Sequence, residues 1–322
     1  MRSIVLAALG LTAATSSLAA ALELREKIPL PGGKGRIDHV AYDAQRQRLF
    51  VAELGNNSVA VVDLRAHRLE HRIAGLDEPQ GIAWFDPLHR LYVANGGDGT
   101  LHAYDGNDFR QLKTTRLGSD ADNIRIDPSA GRLYVGYGEG ALAVLDPGSL
   151  ERVANIPLKS HPEGFQLSAG DGRIYVNLPG AHEIAVVDTT PGGPFASWPA
   201  NRWSANYPMT IDEELHSIVS VFRQPAKIVR FSMRDGTSSG EGDVCSDADD
   251  VFVDARRRRV YVICGQGMVD VLDRATFRRL DRFPTSAGAR TGLYVASADR
   301  LFVAAPAAGG TEAAVWELKP FE

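Results

Sequence analysis

Polar and charged side chains return along this chain at intervals of 41 to 44 residues, each time beside a short apolar segment. The first member of each group is Asp38, Gln80, Asp122, Glu163, Tyr207, Asp249 and, approximately, Arg290. The next residue is His39, Gly81, Asn123, Gly164, Pro208, Asp250 and Thr291 or Gly292. Carboxylates and amides are the oxygen ligands that Ca²⁺ and Mg²⁺ accept, and a nearby imidazole is suited to act as a general base.

A strand signature with nearly the same period must position these groups. It reads Leu49-Phe50-Val51, Leu91-Tyr92-Val93, Leu133-Tyr134-Val135, Ile174-Tyr175-Val176, Ser217-Ile218-Val219, Val260-Tyr261-Val262 and Leu301-Phe302-Val303. A period of about 40–45 residues with several short strands per unit is typical of β-propeller blades. The sequence therefore predicts an all-β fold, a seven-bladed β-propeller with four-stranded antiparallel blades.

The first repeat shows the four strands, which we call A to D from the inside of the ring outwards. Residues 39–43 form strand A, 49–52 strand B, 59–63 strand C and 67–73 strand D, with polar turns between them. The last repeat has no strand D after Leu318. Residues 22–30 have the pattern of the other D strands, so we expect the N-terminal strand to complete the last blade. Such closure removes the free edges that an open sheet exposes.

The clearest copy of the strand-B motif, Leu91-Tyr92-Val93-Ala94-Asn95, resembles the YVTN-type seven-bladed propellers, a family of exported prokaryotic proteins. The resemblance covers residues 22–322 and implies a fold and a compartment, but no particular activity. Blade 5 departs from the motif because Ser217-Ile218-Val219 lacks the central aromatic residue. We therefore expect blade 5 to pack differently from the others.

The first residues predict a signal peptide over residues 1–21, followed by one propeller domain over 22–322. Arg2 supplies the positive charge, residues 4–11 the apolar segment, and residues 19–21 a small-residue cleavage site. The apolar segment is too short to span a bilayer and no second one follows, so we expect a periplasmic or secreted protein. The formal charge of −5, or −6 without Arg2, argues against nucleic acid or an anionic membrane as partner.

The chain has two cysteines, Cys245 and Cys264. An even number of cysteines in an exported protein favours a disulfide between them. Two buried free thiols are the alternative. A bridge would brace the loop that carries Asp247, Asp249 and Asp250.

Inner strands of a propeller converge on one axis, so the recurring polar groups should meet at one mouth of the central channel. Crowded carboxylates raise one another's pKa or attract a cation, and a Ca²⁺ or Mg²⁺ ion on Asn123, Glu163 and Asp249 is one hypothesis. Asp38, Gln80 and Asp122 are further candidate ligands. The alternative is structural, since such residues also cap turns and bond backbone amides.

The predicted acidic ring is similar in kind to that of the gluconolactonase and paraoxonase group of propellers. That resemblance implies a channel-bound divalent cation that polarises a lactone or ester carbonyl, with His39 or His161 as general base. Those enzymes have six blades, so no ligand transfers by register.

Three functions follow from these patterns. The first is an exported scaffold that binds a small molecule or an envelope protein through its channel mouth, using Asp38, Gln80, Asp122, Tyr207, Asp250 and Arg290. The second is the metal-dependent lactonase or esterase. The third, a redox partner, rests only on analogy with other propellers. The sequence leaves enzyme and scaffold both open.

Overall fold

Segments rich in valine, isoleucine, leucine and aromatic residues form the strands of the protein, because β-branched and aromatic side chains suit a pleated, buried surface. The structure is a computed structural model that describes residues 20–188 and 195–322. Residues 1–19 of the predicted signal peptide lie outside the described residues. The described strands form seven separate four-stranded antiparallel sheets, which confirms the predicted architecture.

The strands of blades 1 to 4 follow the chain in the order A, B, C, D. Blade 1 contains β2 (Val40–Asp43), β3 (Arg48–Glu53), β4 (Ser58–Asp63) and β5 (Arg68–Ala74). Blade 2 contains β6 (Pro79–Phe85), β7 (Arg90–Asn95), β8 (Thr100–Asp105) and β9 (Gln111–Arg116). Blade 3 contains β10 (Ile124–Asp127), β11 (Arg132–Tyr137), β12 (Ala141–Leu145) and β13 (Arg152–Pro157). Blade 4 contains β14 (Phe165–Leu167), β15 (Arg173–Leu178), β16 (Glu183–Asp188) and β17 (Phe195–Pro199).

Blades 5 and 6 keep this order, whereas blade 7 borrows a strand from the other end of the chain. Blade 5 contains β18 (Ser204–Asp212), β19 (Ser217–Gln224), β20 (Ala226–Ser232) and β21 (Ser238–Asp243). Blade 6 contains β22 (Ala248–Asp254), β23 (Arg259–Cys264), β24 (Met268–Asp273) and β25 (Arg279–Pro284). Blade 7 contains β26 (Thr291–Val295), β27 (Arg300–Ala305), β28 (Ala314–Pro320) and, as its outer strand, β1 (Leu22–Pro29).

The N-terminal strand closes the ring as predicted. β1 pairs antiparallel with β28 from Leu22 opposite Pro320 to Pro29 opposite Ala314. Ala21, just before it, is also fixed, because its backbone N–H donates to Asp281 at 2.7 Å and its carbonyl accepts from Phe321 N–H at 3.0 Å. The first and last strands are thus hydrogen-bonded neighbours.

The strand-B signature recurs because its aromatic residue packs between blades. Tyr92, Tyr175 and Tyr261 are fully buried, and the Tyr92 hydroxyl donates to the carbonyl of Pro147 in the next blade at 2.7 Å. Burying an aromatic side chain contributes about 1.5–3 kcal/mol. In blade 5 Ile218 takes the aromatic position, and Arg230 of strand C instead donates to the carbonyl of Ala275 in blade 6 at 3.0 Å. The departure expected for blade 5 is confirmed.

Adjacent antiparallel strands reverse direction, so the connections divide between two faces of the ring. We call the side of the D-to-A and B-to-C connections the mouth face and the side of the A-to-B and C-to-D turns the turn face. Short 3₁₀ helices lie at Leu54–Asn56, Asp86–Leu88 and Pro179–Ala181. In the described part of the chain no helix has the length and apolar character that a membrane crossing requires.

Blade 5 extends further than its neighbours on the mouth face. Its strands A and B have nine and eight residues, against six residues for every other B strand. A register shift between Asn206 and Met209 lets strand A lengthen without losing its inner contacts. The Gly164 N–H still donates to the Tyr207 carbonyl at 3.0 Å, and a Cβ at Gly164 would lie only 2.5 Å from that oxygen. Glycine is therefore required where these inner strands approach.

Candidate functional site at the channel mouth

The inner strands enclose a cavity of about 380 Å³ on the channel axis. Six blades contribute to its wall. Its polar lining residues are His39, Asn123, Arg125, Glu163, Gln166, Tyr207, Thr210, Asp249 and Asp250. The volume lies within the range typical of small-molecule sites, about 300–1,000 Å³. Convergence of inner-strand residues from distant parts of the sequence therefore produces a concave, polar site.

Asp249 is the most heavily paired acid of the site. Its Oδ1 accepts from Arg223 Nη2 at 2.6 Å, and its Oδ2 lies 3.7 Å from Arg36 Nη2. Arg223 reaches this position because β19 is extended, and its guanidinium stacks over the Tyr207 ring at 4.0 Å from the centroid. Arg36 also lies 2.8 Å from Asp38 Oδ2, at ion-pair distance but without hydrogen-bond alignment. Two arginines thus neutralise these carboxylates.

Asp250 is held by blades 1 and 7. Its Oδ2 accepts from the Gly292 N–H at 2.8 Å, and its Oδ1 lies 3.8 Å from His39 Nδ1. At 3.8 Å the second contact is an ion pair rather than a hydrogen bond. Burial disfavours protonation of His39, but Asp250, with Asp38 and Asp122, outweighs it and raises the imidazole pKa to about 10. A cationic His39 cannot accept a proton near neutral pH, which argues against its predicted role as general base.

Asp122 and Glu163 form no hydrogen bond or ion pair through their carboxyl groups with any part of the chain that the structure describes. Burial, followed by the charges of Asp38 and Glu163, raises the pKa of Asp122 to about 7. Burial and the charge of Asp249 likewise raise the pKa of Glu163 to about 7, although Arg223 opposes the shift. Both groups therefore carry an incomplete negative charge at neutral pH.

Asn123 directly follows Asp122 at the inner strand of blade 3. Its side chain is 3% exposed and lines the cavity, and its Oδ1 has no hydrogen-bond partner among the described residues. Leaving a buried acceptor unpaired costs about 1–3 kcal/mol. The wall of the cavity therefore contains a buried acceptor that the described residues leave unsatisfied.

The structure brings together most, but not all, of the residues predicted for the site. His39, Asn123, Glu163, Tyr207, Asp249 and Asp250 line the cavity, and the buried Asp38 and Asp122 lie beside them. Gln80, His161 and Arg290 are not in the wall. Gln80 Nε2 donates to Asp120 at 3.1 Å, Arg290 Nη2 pairs with Asp247 at 3.0 Å, and His161 Nδ1 lies 2.6 Å from the Gly138 carbonyl.

The predicted disulfide between Cys245 and Cys264 is confirmed. It joins the D-to-A connection of blade 6 to the end of strand B in the same blade, and both cysteines are buried. The Cys245 N–H also donates to Asp270 at 2.8 Å. The connection that carries Asp247 is therefore anchored at its start.

Four charged or polar residues of the site were missed by sequence reasoning: Arg36, Arg125, Gln166 and Arg223. Arg125 and Gln166 lie three residues after Asp122 and Glu163 and form a deeper layer of the wall. The sequence feature that could have revealed them is a polar residue within an otherwise apolar strand A. Blades 1 and 2 have Ala41 and Ala83 at the equivalent position. The signal for Arg223 was the extra length of strand B in blade 5.

Arg125 has no carboxylate within ion-pair distance in the described chain. Its Nη1 donates to the Ile124 carbonyl at 2.8 Å, and its guanidinium lies 5.5 Å from the Phe165 ring centroid. Burial lowers its pKa, although Asp250 and Asp122 act in the opposite direction. Arg125 thus presents a positive charge to the cavity.

Comparison with solved structures shows the class of protein. The chain is similar to the hydrazine synthase of Kuenenia stuttgartiensis, with a TM-score of 0.73, 16% identity and coverage of 86% of this chain and 96% of that one. It is also similar to a chain in the crystal structure of a mitotic checkpoint complex, with a TM-score of 0.79, 13% identity and coverage of 99% and 100%.

At this level of identity the likeness shows the fold alone: the chain is a seven-bladed β-propeller, and propellers of this shape serve different functions. No protein-family model matches the chain, and no curated protein matches it in sequence.

Proposed function

We propose that this protein binds a small ligand in the cavity at the mouth of its central channel. The observation that carries the proposal is the side chain of Asn123, which is almost fully buried, lines the cavity and leaves Oδ1 unpaired. Glu163 adds a carboxyl group that lines the cavity and has no partner among the described residues. Functional sites collect buried titratable groups with strongly shifted pKa values, and this mouth has several.

A binding experiment can test the proposal before any natural ligand is known. Melting temperatures would be measured with CaCl₂, MgCl₂, ethanolamine, acetate and glycylglycine for the wild type and for Thr210→Trp, which fills the cavity. Leu88→Trp, on an exposed turn-face helix, is the matched control. We expect at least one probe to stabilise the wild type and Leu88→Trp but not Thr210→Trp.

Two outcomes would contradict ligand binding at this cavity. One is that no probe changes the melting temperature of the wild type. The other is that Thr210→Trp responds as strongly as the wild type. Should Thr210→Trp fail to fold, Asn123→Leu provides a second test, because it removes the unpaired oxygen while keeping a side chain of similar size. Asn123→Leu should retain the fold and lose the response.

We infer that the protein works in an oxidising compartment outside the cytoplasm, as a YVTN-type exported propeller. The disulfide supports this inference, because disulfides persist in periplasmic and secreted proteins, and so does the signal-peptide pattern of the first 21 residues. Expression of the full chain in a bacterial host tests it through fractionation and intact mass. A cytoplasmic protein that retains residue 2 would overturn it.

An envelope protein is an alternative occupant of the mouth face. The extended hairpin of blade 5, β19 and β20, provides a raised edge beside the cavity. Cross-linking in the host envelope would distinguish the two, because a protein partner should be lost when Lys227 of this hairpin is changed, whereas small-ligand binding depends on the cavity wall.

A divalent-cation site with lactonase or esterase activity is the second candidate. Asn123, Glu163 and Asp249 line the same cavity, which supports it. The donor set fits a hard cation poorly, since Asp249 already binds Arg223 and lies near Arg36, and the described residues contain no cluster of three His, Cys, Asp or Glu side chains arranged for a metal. Calcium titration of the wild type, Glu163→Gln and Asp249→Asn tests it: a site of this composition requires both carboxylates.

A further inference from the structure

Some charged groups of the cavity wall are paired with other groups of the protein, and others have no partner. Asp249 is neutralised by Arg223 at 2.6 Å, and Asp250 is satisfied by the Gly292 N–H at 2.8 Å and by the cationic His39. Such pairing offsets part of the cost of removing a charge from water. These groups therefore have little capacity left for a ligand.

The acceptor groups without a partner lie at the inner strands of blades 3 and 4. Glu163 has no partner for its carboxyl group in the described chain, and Asn123 has an unpaired Oδ1; both residues line the cavity. The ionised carboxyl of Glu163 offers two acceptor oxygens, and Asn123 Oδ1 is a third. An ammonium group has three donors and no acceptor, so it matches this set.

The unpaired positive charge lies deeper in the channel. Arg125 follows Asn123 by two residues along the inner strand, which places their Cα atoms about 7 Å apart at roughly 3.3 Å per residue. The other side chains at this depth, Gln166, Thr210, Phe252 and Leu293, are uncharged. A guanidinium presents a rigid fork of donors that matches a carboxylate. The cavity is therefore negative at its rim and positive below.

We propose that the channel binds a short zwitterionic ligand of dipeptide size, with its ammonium group at Asn123 and Glu163 and its carboxylate at Arg125. This inference rests on the proposed function of the same cavity. Two residues of extended peptide span about 7 Å, which fits groups separated by two strand positions, as Asn123 and Arg125 are. A simple cation would leave Arg125 unpaired, and a simple anion would leave the rim acceptors unpaired.

Three peptides that differ only at their ends test the inference. Calorimetric titrations at pH 8, where the rim carboxyls are ionised, would use glycylglycine, N-acetylglycylglycine and glycylglycinamide. The first has both charges, the second lacks the ammonium group and the third lacks the carboxylate. We expect glycylglycine to bind at least tenfold more tightly than either capped form, because each capped form leaves one charged group of the cavity unpaired.

Two variants assign the ends of the ligand. Arg125→Met should abolish the preference for glycylglycine over glycylglycinamide and keep the preference over the acetylated form. Glu163→Gln should do the reverse. Arg68→Gln, on the exposed outer strand of blade 1, is the control and should bind like the wild type.

The results distinguish this inference from the proposed function on which it rests. Equal binding of the three peptides, or tightest binding of a capped form, would overturn the zwitterion and leave ligand binding intact. Absence of peptide binding, with a cavity-dependent response to another probe such as ethanolamine or CaCl₂, would do the same. If Thr210→Trp removes no response to any probe, both proposals fail. The comparison of wild-type peptide affinities remains decisive even if Arg125→Met does not fold.

Discussion

The two faces of the ring use aspartate in opposite ways. On the turn face Asp63, Asp105 and Asp146 follow or end strands C, and each carboxylate accepts backbone N–H groups two or three residues further on, at 2.7–3.1 Å. These bonds lower the pKa of all three carboxyls. On the mouth face burial raises the pKa of Asp122 and Glu163 to about 7 and of Asp249 to about 6.

The difference separates residues that build the ring from residues available for binding. A carboxylate bonded to the backbone of its own turn stabilises the fold. A carboxyl that burial keeps partly protonated costs stability when it ionises, and that cost is the usual sign of a functional position. The mouth face carries carboxyl groups of this kind, whereas the carboxylates of Asp63, Asp105 and Asp146 on the turn face are stabilised in their ionised form.

The largest effect that we expect concerns the disulfide, which braces only the mouth face. Replacing Cys245 and Cys264 by alanine should lower the free energy of unfolding by about 3 kcal/mol, the value for a loop of this length. Denaturant unfolding of oxidised, reduced and double-alanine protein would measure it. A loss below about 1 kcal/mol would mean that blade 6 holds its mouth-face connection without the bond.

Neutralising a mouth-face acid should stabilise the protein. Because the native pKa of Glu163 is raised to about 7, ionisation costs stability progressively between about pH 4 and pH 7. Glu163→Gln should therefore raise the free energy of unfolding by about 1–3 kcal/mol at pH 8 and change it little at pH 4. Denaturant unfolding at the two pH values tests this. A destabilised variant at pH 8 would break the comparison between the faces.

Neutralising a turn-face acid should do the opposite. Asp63→Ala removes acceptors for the N–H groups of Arg65 and Ala66 and should cost about 1 kcal/mol at pH 7. Since the native pKa of Asp63 is lowered, its contribution is present at neutral pH and is lost as the pH falls through that lowered value. Equal stability of wild type and variant at pH 7 would show that the turn does not need its carboxylate.

The smallest change is expected at His39. With a pKa of about 10, its imidazole should remain protonated over the range in which an ordinary histidine titrates, about pH 5 to 8. Its stabilising effect is present below the unfolded pKa of about 6.5 and disappears as the pH rises through 10. NMR titration of the ring nitrogens of the wild type and of Asp250→Asn would measure this. A midpoint near 6.5 in the wild type would mean that Asp250 and Asp38 do not stabilise the imidazolium.

Much of the fold was predictable because propeller blades repeat. The aromatic residue of strand B packs between blades in most repeats, so the spacing of this residue gives the number of blades. The pattern of residues 22–30 identified the strand that completes the ring. The disulfide was predictable from the signal-peptide pattern and the even number of cysteines. Alignment of the inner strands also collected six residues of the cavity wall.

The pairing of charges could not be predicted from the alignment. Arg223 contacts Asp249 only because blade 5 continues beyond the usual length of a blade, and Arg36 precedes the aligned segment of blade 1. The positions of these two guanidinium groups decide whether the carboxylate of Asp249 or that of Glu163 lacks a partner. Local irregularity in blade 5 therefore decides which acids of a regular ring remain available.

The pairing of β1 with β28 limits the order in which the strands of the ring can pair. Each hairpin within a blade joins neighbours in sequence, whereas the last pairing joins residues near opposite ends of the chain and must await synthesis of Pro320. A product truncated by premature termination before β28 retains two uncovered edges that invite aggregation. The ring therefore cannot close before β28 has been synthesised.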